Sequence, residues 1–234
     1  MRSALILPLA LLIAGTAHAQ TQRMEMLAGF ERVRVDGPFV VTVTTGTRGK
    51  ATINGARDAT ERVAVRVENG TLIVSASQNA WGGSDKAARA TVAVEAPAGT
   101  RGVAVRGGGT VSVDRLRGAR LDLAVAGSGT LKVAEAQADQ LYATLTGAGR
   151  IEVAGVAGRA RFLSIGTGSV EAKGLRVDDL AISQDSLGDG VFTARRTVTV
   201  SSAGLGSVMV EGDAACTVTV QRGGPVACKR TASR

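Results

Sequence analysis

Two stretches of the chain are copies of one phrase. Leu121-Asp122-Leu123-Ala124-Val125-Ala126 leads through Gly127-Ser128-Gly129 into Thr130-Leu131-Lys132-Val133. Leu141-Tyr142-Ala143-Thr144-Leu145-Thr146 leads through Gly147-Ala148-Gly149 into Arg150-Ile151-Glu152-Val153. Apolar residues fall on every second position, the period of a strand with one buried side. Gly-x-Gly then acts as a corner between two such strands. Equivalent corner positions recur at 107, 127, 147, 166, 186, 204 and 222, in steps of 20, 20, 19, 20, 18 and 18 residues. The fourth and sixth residues after each regular corner are apolar: Val111 and Val113, Leu131 and Val133, Ile151 and Val153, Val170 and Ala172, Val208 and Val210. A corner at fixed phase with a period near 20 residues is the mark of stacked coils. One coil cannot bury its apolar side alone. Stacked coils align equivalent Val, Leu and Ile side chains into a shared core and pair each strand with the coils above and below. The pattern predicts an all-β solenoid, with a β-sandwich as the structural alternative.

The strict repeat is expected from Thr91 onward. The region before it reads as short strands with tight turns at Gly37-Pro38, Thr45–Gly49, Asn54-Gly55 and Asn69-Gly70. Residues 76–88 break the rhythm and read as an exposed loop. The only tryptophan, Trp81, is there, either as a ligand anchor or as a ring covering the core's end. Gln20–Ala28 reads as a flexible leader and Lys229–Arg234 as a basic, disordered tail. The solenoid domain is expected over 29–228.

The amino terminus changes the compartment. Arg2, an apolar run over Ala4–Gly15 and Ala17-His18-Ala19 before Gln20 have the form of a secretory signal peptide, 1–19. No Cys follows the cleavage site, and no later run is long enough to span a membrane. A periplasmic, surface or secreted location follows as an expectation. Cleavage removes Arg2 and leaves 27 basic against 20 acidic residues, a net +7. It also removes His18, the only histidine, and with it any Ser-His-Asp or Cys-His mechanism and any imidazole metal ligand. Cys216 and Cys228 are the only cysteines, too few for a zinc site. Both fall at inward phases of the last coil. There they form either a disulfide, the default in an oxidising compartment, or two buried thiols.

At this point the residues resemble a known family. Phe30-x-x-Val33-x-Val35-x-Gly37-Pro38-Phe39-x-Val41-x-Val43, then Asn69-Gly70-Thr71-Leu72-x-Val74, Val92-x-Val94-x-x-Pro97 and serial Gly-x-Gly phrases are similar to the putative auto-transporter adhesin, head GIN domain family. The resemblance covers about Leu27 to Lys229. It implies a right-handed, single-stranded parallel β-helix, an envelope or surface location, and an adhesive role without catalytic, cofactor-binding or metal-binding residues. The chain departs from the pattern at Ser186-Leu187-Gly188-Asp189-Gly190. It also carries no carboxy-terminal membrane barrel, so self-export is not expected.

Two kinds of surface chemistry remain. Arg101, Arg106, Arg115, Arg117 and Arg120 crowd one coil and its connection, with Arg159, Arg161, Arg176, Arg195 and Arg196 later. On one face they would attract acidic polysaccharide or lipopolysaccharide phosphate; dispersed, they are solvated loop edges. Asp178, Asp179, Asp185 and Asp189 are the acids available to a polysaccharide lyase or hydrolase, or else turn formers. Aromatic residues make up 3% of the chain, which argues against nucleic acid and against sugar recognition by stacking. The leading expectation is a non-enzymatic envelope interaction module. The alternatives are a β-helix polysaccharide-cleaving enzyme and a purely structural envelope component.

Overall fold

The computed structural model describes residues 21–77 and 90–229. The expected signal peptide, Trp81 and the tail beyond Lys229 lie outside the described residues. Eight strands and one helical turn precede the regular coils: β1 (Thr21–Met26), β2 (Arg32–Asp36), β3 (Val40–Gly46), β4 (Lys50–Gly55), α1 (Arg57–Glu61), β5 (Val63–Glu68), β6 (Thr71–Ala76), β7 (Thr91–Pro97) and β8 (Gly102–Arg106). The coils follow as β9 (Thr110–Gly127), β10 (Thr130–Gly147), β11 (Arg150–Gly166), β12 (Ser169–Ser186) and β13 (Gly190–Ser202). They close with β14 (Val208–Glu211), β15 (Ala215–Gln221) and β16 (Val226–Lys229). From β8 upward every neighbouring pair is parallel, in a β-solenoid of about six turns.

Each long strand bends twice, so one strand supplies three sides of the coil. In β9 the in-out alternation breaks at the exposed pair Asp114-Arg115 and again over Gly118–Arg120. Residues 110–113 form the first side, 115–117 the second and 120–126 the third. Leu131 pairs with Ile151 and Ile151 with Val170, and below them Val41 pairs with Val111 and Val111 with Leu131. All five are at most 3% exposed, so the stacked apolar column expected from the period is present. Burying each such side chain contributes about 1.5–3 kcal/mol. Phe162 and Phe192 meet edge to face across the core, with ring centroids 5.0 Å apart. The step of 19 residues is absorbed at one bend: the register shifts between Val133 and Ala136 against β11, where Gly155 has φ +128°.

The corners are held by backbone. Ala148 N–H donates to Gly127 O and Arg150 N–H to Gly129 O, each at 2.9 Å, so the parallel ladder continues around the turn. Gly147 has φ +109°, and a Cβ there would lie 2.6 Å from Gly127 O. A Cβ on Gly149 would lie 2.5 Å from Gly129 O. Glycine at both positions is what lets one corner sit directly on the next. The corner that departs from the pattern keeps the backbone bond from Leu187 N–H to Gly166 O at 2.8 Å and adds side chains to it. Ser186 Oγ donates to Gly168 O at 2.8 Å and accepts from Gly188 N–H at 3.0 Å, and Gln184 Nε2 donates to Gly188 O at 3.0 Å. Asp189 Oδ1 receives the Ser207 hydroxyl at 2.6 Å and the Ser207 amide at 2.9 Å. Those two bonds, the hydroxyl first, hold the Asp189 carboxyl below its ordinary value against a smaller opposing effect of desolvation.

Several expectations are corrected at the amino-terminal end. Residues 21–26 of the expected flexible leader form β1, an antiparallel edge strand on β4. Asn54-Gly55 ends β4 and leads into α1, and no hairpin forms there. Asn69-Gly70 does make the tight turn, at φ 48° and 70°, between antiparallel β5 and β6. The regular climb starts at Gly102, not Thr91, because β7 pairs parallel with β3 and antiparallel with β4. On the third side β2 lies between β6 and β8, a strand early in the chain between two later ones. At the other end Cys216 and Cys228 are joined as a disulfide, with Cα atoms 6.5 Å apart, linking the third side to the first side of the following coil.

Replacing Gly147 with Ala combines backbone strain with overlap and is expected to cost about 2–4 kcal/mol in thermal or denaturant unfolding. Ala148→Ser, on the exposed middle position, should stay within about 0.5 kcal/mol. Reducing Cys216–Cys228 releases a short loop worth up to about 3 kcal/mol. Hydrogen exchange should accelerate across 208–229 and leave 110–186 protected. The depressed Asp189 carboxyl stabilises the fold above the unfolded value near ~3.9, and that contribution is lost as pH falls through the lower folded value. Asp189→Ala should therefore melt below the parent at neutral pH, and the gap should close below about pH 4.

Candidate functional site

The outward columns of the third side can be read from the register. One runs Gly102, Asp122, Tyr142, Arg161, Ala181, Thr199. Beside it run Arg120, Gln140, Arg159, Asp179 and Thr197 on one flank and Ala104, Ala124, Thr144, Leu163 and Ser183 on the other. Bulk drops abruptly at Ala181 after Tyr142 and Arg161, and a cleft of ≈ 360 Å³ opens there. Tyr142, Arg161, Arg159, Asp179, Thr197 and Thr199 are among its lining residues. A second hollow of ≈ 240 Å³ lies over Gly102, Ala104 and Ala124 between Arg32, Arg34 and Arg106. Gly102 and Ala181 are four ladder steps apart, about 19 Å at ~4.8 Å per step.

The guanidinium of Arg120 lies 4.3 Å from the Tyr142 ring centroid. Asp122 receives Arg120 Nε and Nη2 on Oδ1, both at 3.0 Å, and by hydrogen bond and charge raises the Arg120 guanidinium further above its ordinary value. Tyr142 O–H donates to Gln140 Oε1 at 3.3 Å. The ring is thus held in place from its amino-terminal neighbours. Arg32, Arg106, Arg159 and Arg161 are exposed and have no acidic partner among the described residues. Asp185 is an exposed acid at the far edge of this side, paired in register with Ile165.

The five arginines Arg101, Arg106, Arg115, Arg117 and Arg120 do not share one face. Arg115 and Arg117 belong to the second side, opposite Glu135 and Gln137 of the next coil. Arg106 and Arg120 belong to the third side in different columns, and Arg101 precedes it. Arg115 pairs with Glu135 at 3.0 Å, Arg101 with Glu31 at 2.5 Å and Arg120 with Asp122, which leaves Arg106 and Arg117 open. On the first side the charges pair between coils, Lys132 with Glu152 at 3.2 Å and Arg150 with Glu171 at 3.8 Å, and at the bend Lys173 reaches Glu211 at 3.1 Å. Pairs this exposed add little stability, about 0–1 kcal/mol each, but they cancel the field of that side.

Three of the four acids considered for sugar cleavage are engaged by other groups. Asp178 faces Arg195 at 3.6 Å, and Asp179 receives Arg196 at 2.7 Å and Thr197 at 2.8 Å. Asp189 holds the corner at Ser207. Asp179 and Asp185 share one side of β12 but lie six residues apart, about 20 Å, against the roughly 5–9.5 Å that a glycosidase pair needs. Among the described residues there is no cluster of His, Cys, Asp and Glu fit to hold a metal, and no helix long and apolar enough to cross a membrane.

The cleft residues were legible in part. Counting one period from Tyr142 reaches Arg161 and then Ala181, so the column could be traced by spacing alone. Arg32 and Arg34 could not, because β2 reaches the third side through the out-of-order amino-terminal strands.

The description putative auto-transporter adhesin, head GIN domain, matches residues 29–214. No curated protein matches the chain. Among solved structures, a putative adhesin from Bacteroides fragilis superposes with a TM-score of 0.80 at 20% identity, covering 91% of this chain and 97% of that one. A putative lipid binding protein from Parabacteroides distasonis gives 0.66 at 15% identity, with 91% and 96% covered. A putative adhesin from Parabacteroides merdae gives 0.62 at 16% identity, with 91% and 96% covered. At these identities the likeness establishes a shared fold. With the family match running from residue 29 through β14 to residue 214, the chain belongs to the putative auto-transporter adhesin, head GIN domain family.

Proposed function

We propose that the protein is a non-enzymatic contact module of the cell envelope or cell surface, exported by the segment 1–19, that presents the third side of its solenoid to polyanions such as acidic polysaccharide. One observation carries this reading. The first side cancels its charges between coils, whereas the third side leaves Arg32, Arg106, Arg159 and Arg161 without acidic partners, around hollows floored by Gly and Ala. A rigid side with repeated cationic positions at ladder spacing suits an extended polyanion better than a compact substrate. The family's adhesin description supports a surface role. Of the acids weighed for cleavage, Asp178, Asp179 and Asp189 are each bonded to other groups, and Asp185 lies about 20 Å along β12 from Asp179.

Immobilised polygalacturonate is the test surface. The protein should bind it and release it in moderate salt, because exposed charges are screened within about 10 Å at 0.1 M. Arg32→Glu with Arg106→Glu and Arg159→Glu should abolish retention, while Arg117→Glu with Arg176→Glu should leave most of it. Prolonged incubation should yield no new reducing or unsaturated ends. Retention that ignores salt, or that survives the third-side replacements, would refute the assignment of this side.

A further inference from the structure

We infer that the cleft over Ala181 is a binding site for an acidic saccharide unit, a sugar carrying a carboxylate; this rests on the contact-module reading and assigns that face a specific ligand. The cleft spans the layers of Tyr142, Arg161, Ala181 and Thr199, three ladder steps or about 14 Å. Its volume of ≈ 360 Å³ lies within the usual range for small-ligand sites and exceeds what a lone anion fills. Its walls carry three kinds of group.

Arg159 and Arg161 project from the same strand at i and i+2, on the same side, and neither makes an ion pair among the described residues, the neighbouring Asp179 being bonded to Arg196. A guanidinium fork binds a carboxylate in two parallel hydrogen bonds. Asp179, Gln140, Thr197 and Thr199 offer acceptors and donors for hydroxyl groups. Asp179 already receives Arg196 and Thr197, and a carboxylate has about four lone-pair sites, so it keeps capacity for a sugar hydroxyl. Tyr142, the chain's only tyrosine, supplies an apolar surface beside the first arginine pair.

The ring is fixed by Arg120 and by its bond to Gln140, so little ordering is required when a ligand arrives. A sugar needs one apolar patch, a hydroxyl network and, when acidic, a cation, and the cleft holds all three within one hollow. A nucleic-acid strand would need a series of aromatic rings, and this side has one. The depth comes from Ala181: a longer side chain in that column would fill the space between Arg161 and Thr199.

The test is calorimetric titration of the full chain with an oligogalacturonate, its methyl ester and a neutral oligogalactoside. The free acid should bind at least about tenfold tighter than either control, because the charge-assisted bonds are lost without the carboxylate. Arg161→Ala and Ala181→Leu should each weaken binding about tenfold or more, with melting temperature and circular dichroism checked against the parent. Arg117→Ala, on the second side, should change nothing. Equal binding of acid and ester would overturn the proposal without needing any variant. So would binding untouched by Arg161→Ala and Ala181→Leu. If the oligogalacturonate binds but only Arg32→Ala and Arg106→Ala weaken it, the third side is the contact face and this cleft is not its site. If neither the oligogalacturonate nor polygalacturonate binds, the contact-module reading falls too.

Discussion

The structure depends on a backbone ladder that does not stop at the corners. In most sheets the hydrogen-bond ladder ends where the strand turns. Here the amides of Ala148 and Arg150 reach the carbonyls of Gly127 and Gly129 in the coil below, so one coil is bonded to the next around its bend. That demands backbones so close that a Cβ on Gly147 or Gly149 would intrude on the neighbouring carbonyl. The Gly-x-Gly phrase is the chemical form of this demand. Once it is met, the three sides are locked in register, and the Val, Leu and Ile columns follow.

A fixed register has a consequence for the outside. Each outward residue sits about 4.8 Å above its equivalent, so surface chemistry is written in columns. Where a column carries opposite charges in successive coils, as at Lys132 and Glu152, the side is neutral. Where it carries Tyr, Arg and then Ala, the surface opens into a cleft flanked by cations. The hollows on the third side are gaps in a column, left by Gly102, Ala104 and Ala181, and not pockets built from loops. A site of this kind is rigid because the backbone beneath it is part of the ladder.

How much of this could be read from sequence depended on whether periodicity or pairing order decided the matter. Cys228, expected to point inward, is exposed at the open end although it is joined to Cys216, whereas Leu131 over Ile151 over Val170 followed from spacing alone. The amino-terminal strands did not, because spacing says nothing about which strands pair out of order. Thus Gln20–Ala28 has the composition of a leader yet contributes β1, and Asn54-Gly55, a strong turn dipeptide, instead ends a strand beside a helical turn. The arginines illustrate the same divide. Arg115 and Arg117 are close in sequence to Arg120, yet the bend over Gly118–Arg120 puts them on a different side. Tyr142 and Arg161 are distant in sequence and adjacent in space. The shortage of aromatics argued against sugar stacking, but a single ring placed beside two open arginines changes what that scarcity means.

The bend at Gly155 drops one residue from its coil without disturbing the strands on either side. From β9 to β13 length differences are confined to the bends, and the sides keep their alignment; β15 alone carries an extra residue, Thr219, within the third side. A lineage carrying this fold can rewrite one rung of a surface column by a single substitution, or insert a residue at a bend, while every other rung stays where it was. The architecture separates what is displayed from what holds it up, and a binding surface can change its specificity step by step at almost no risk to the scaffold.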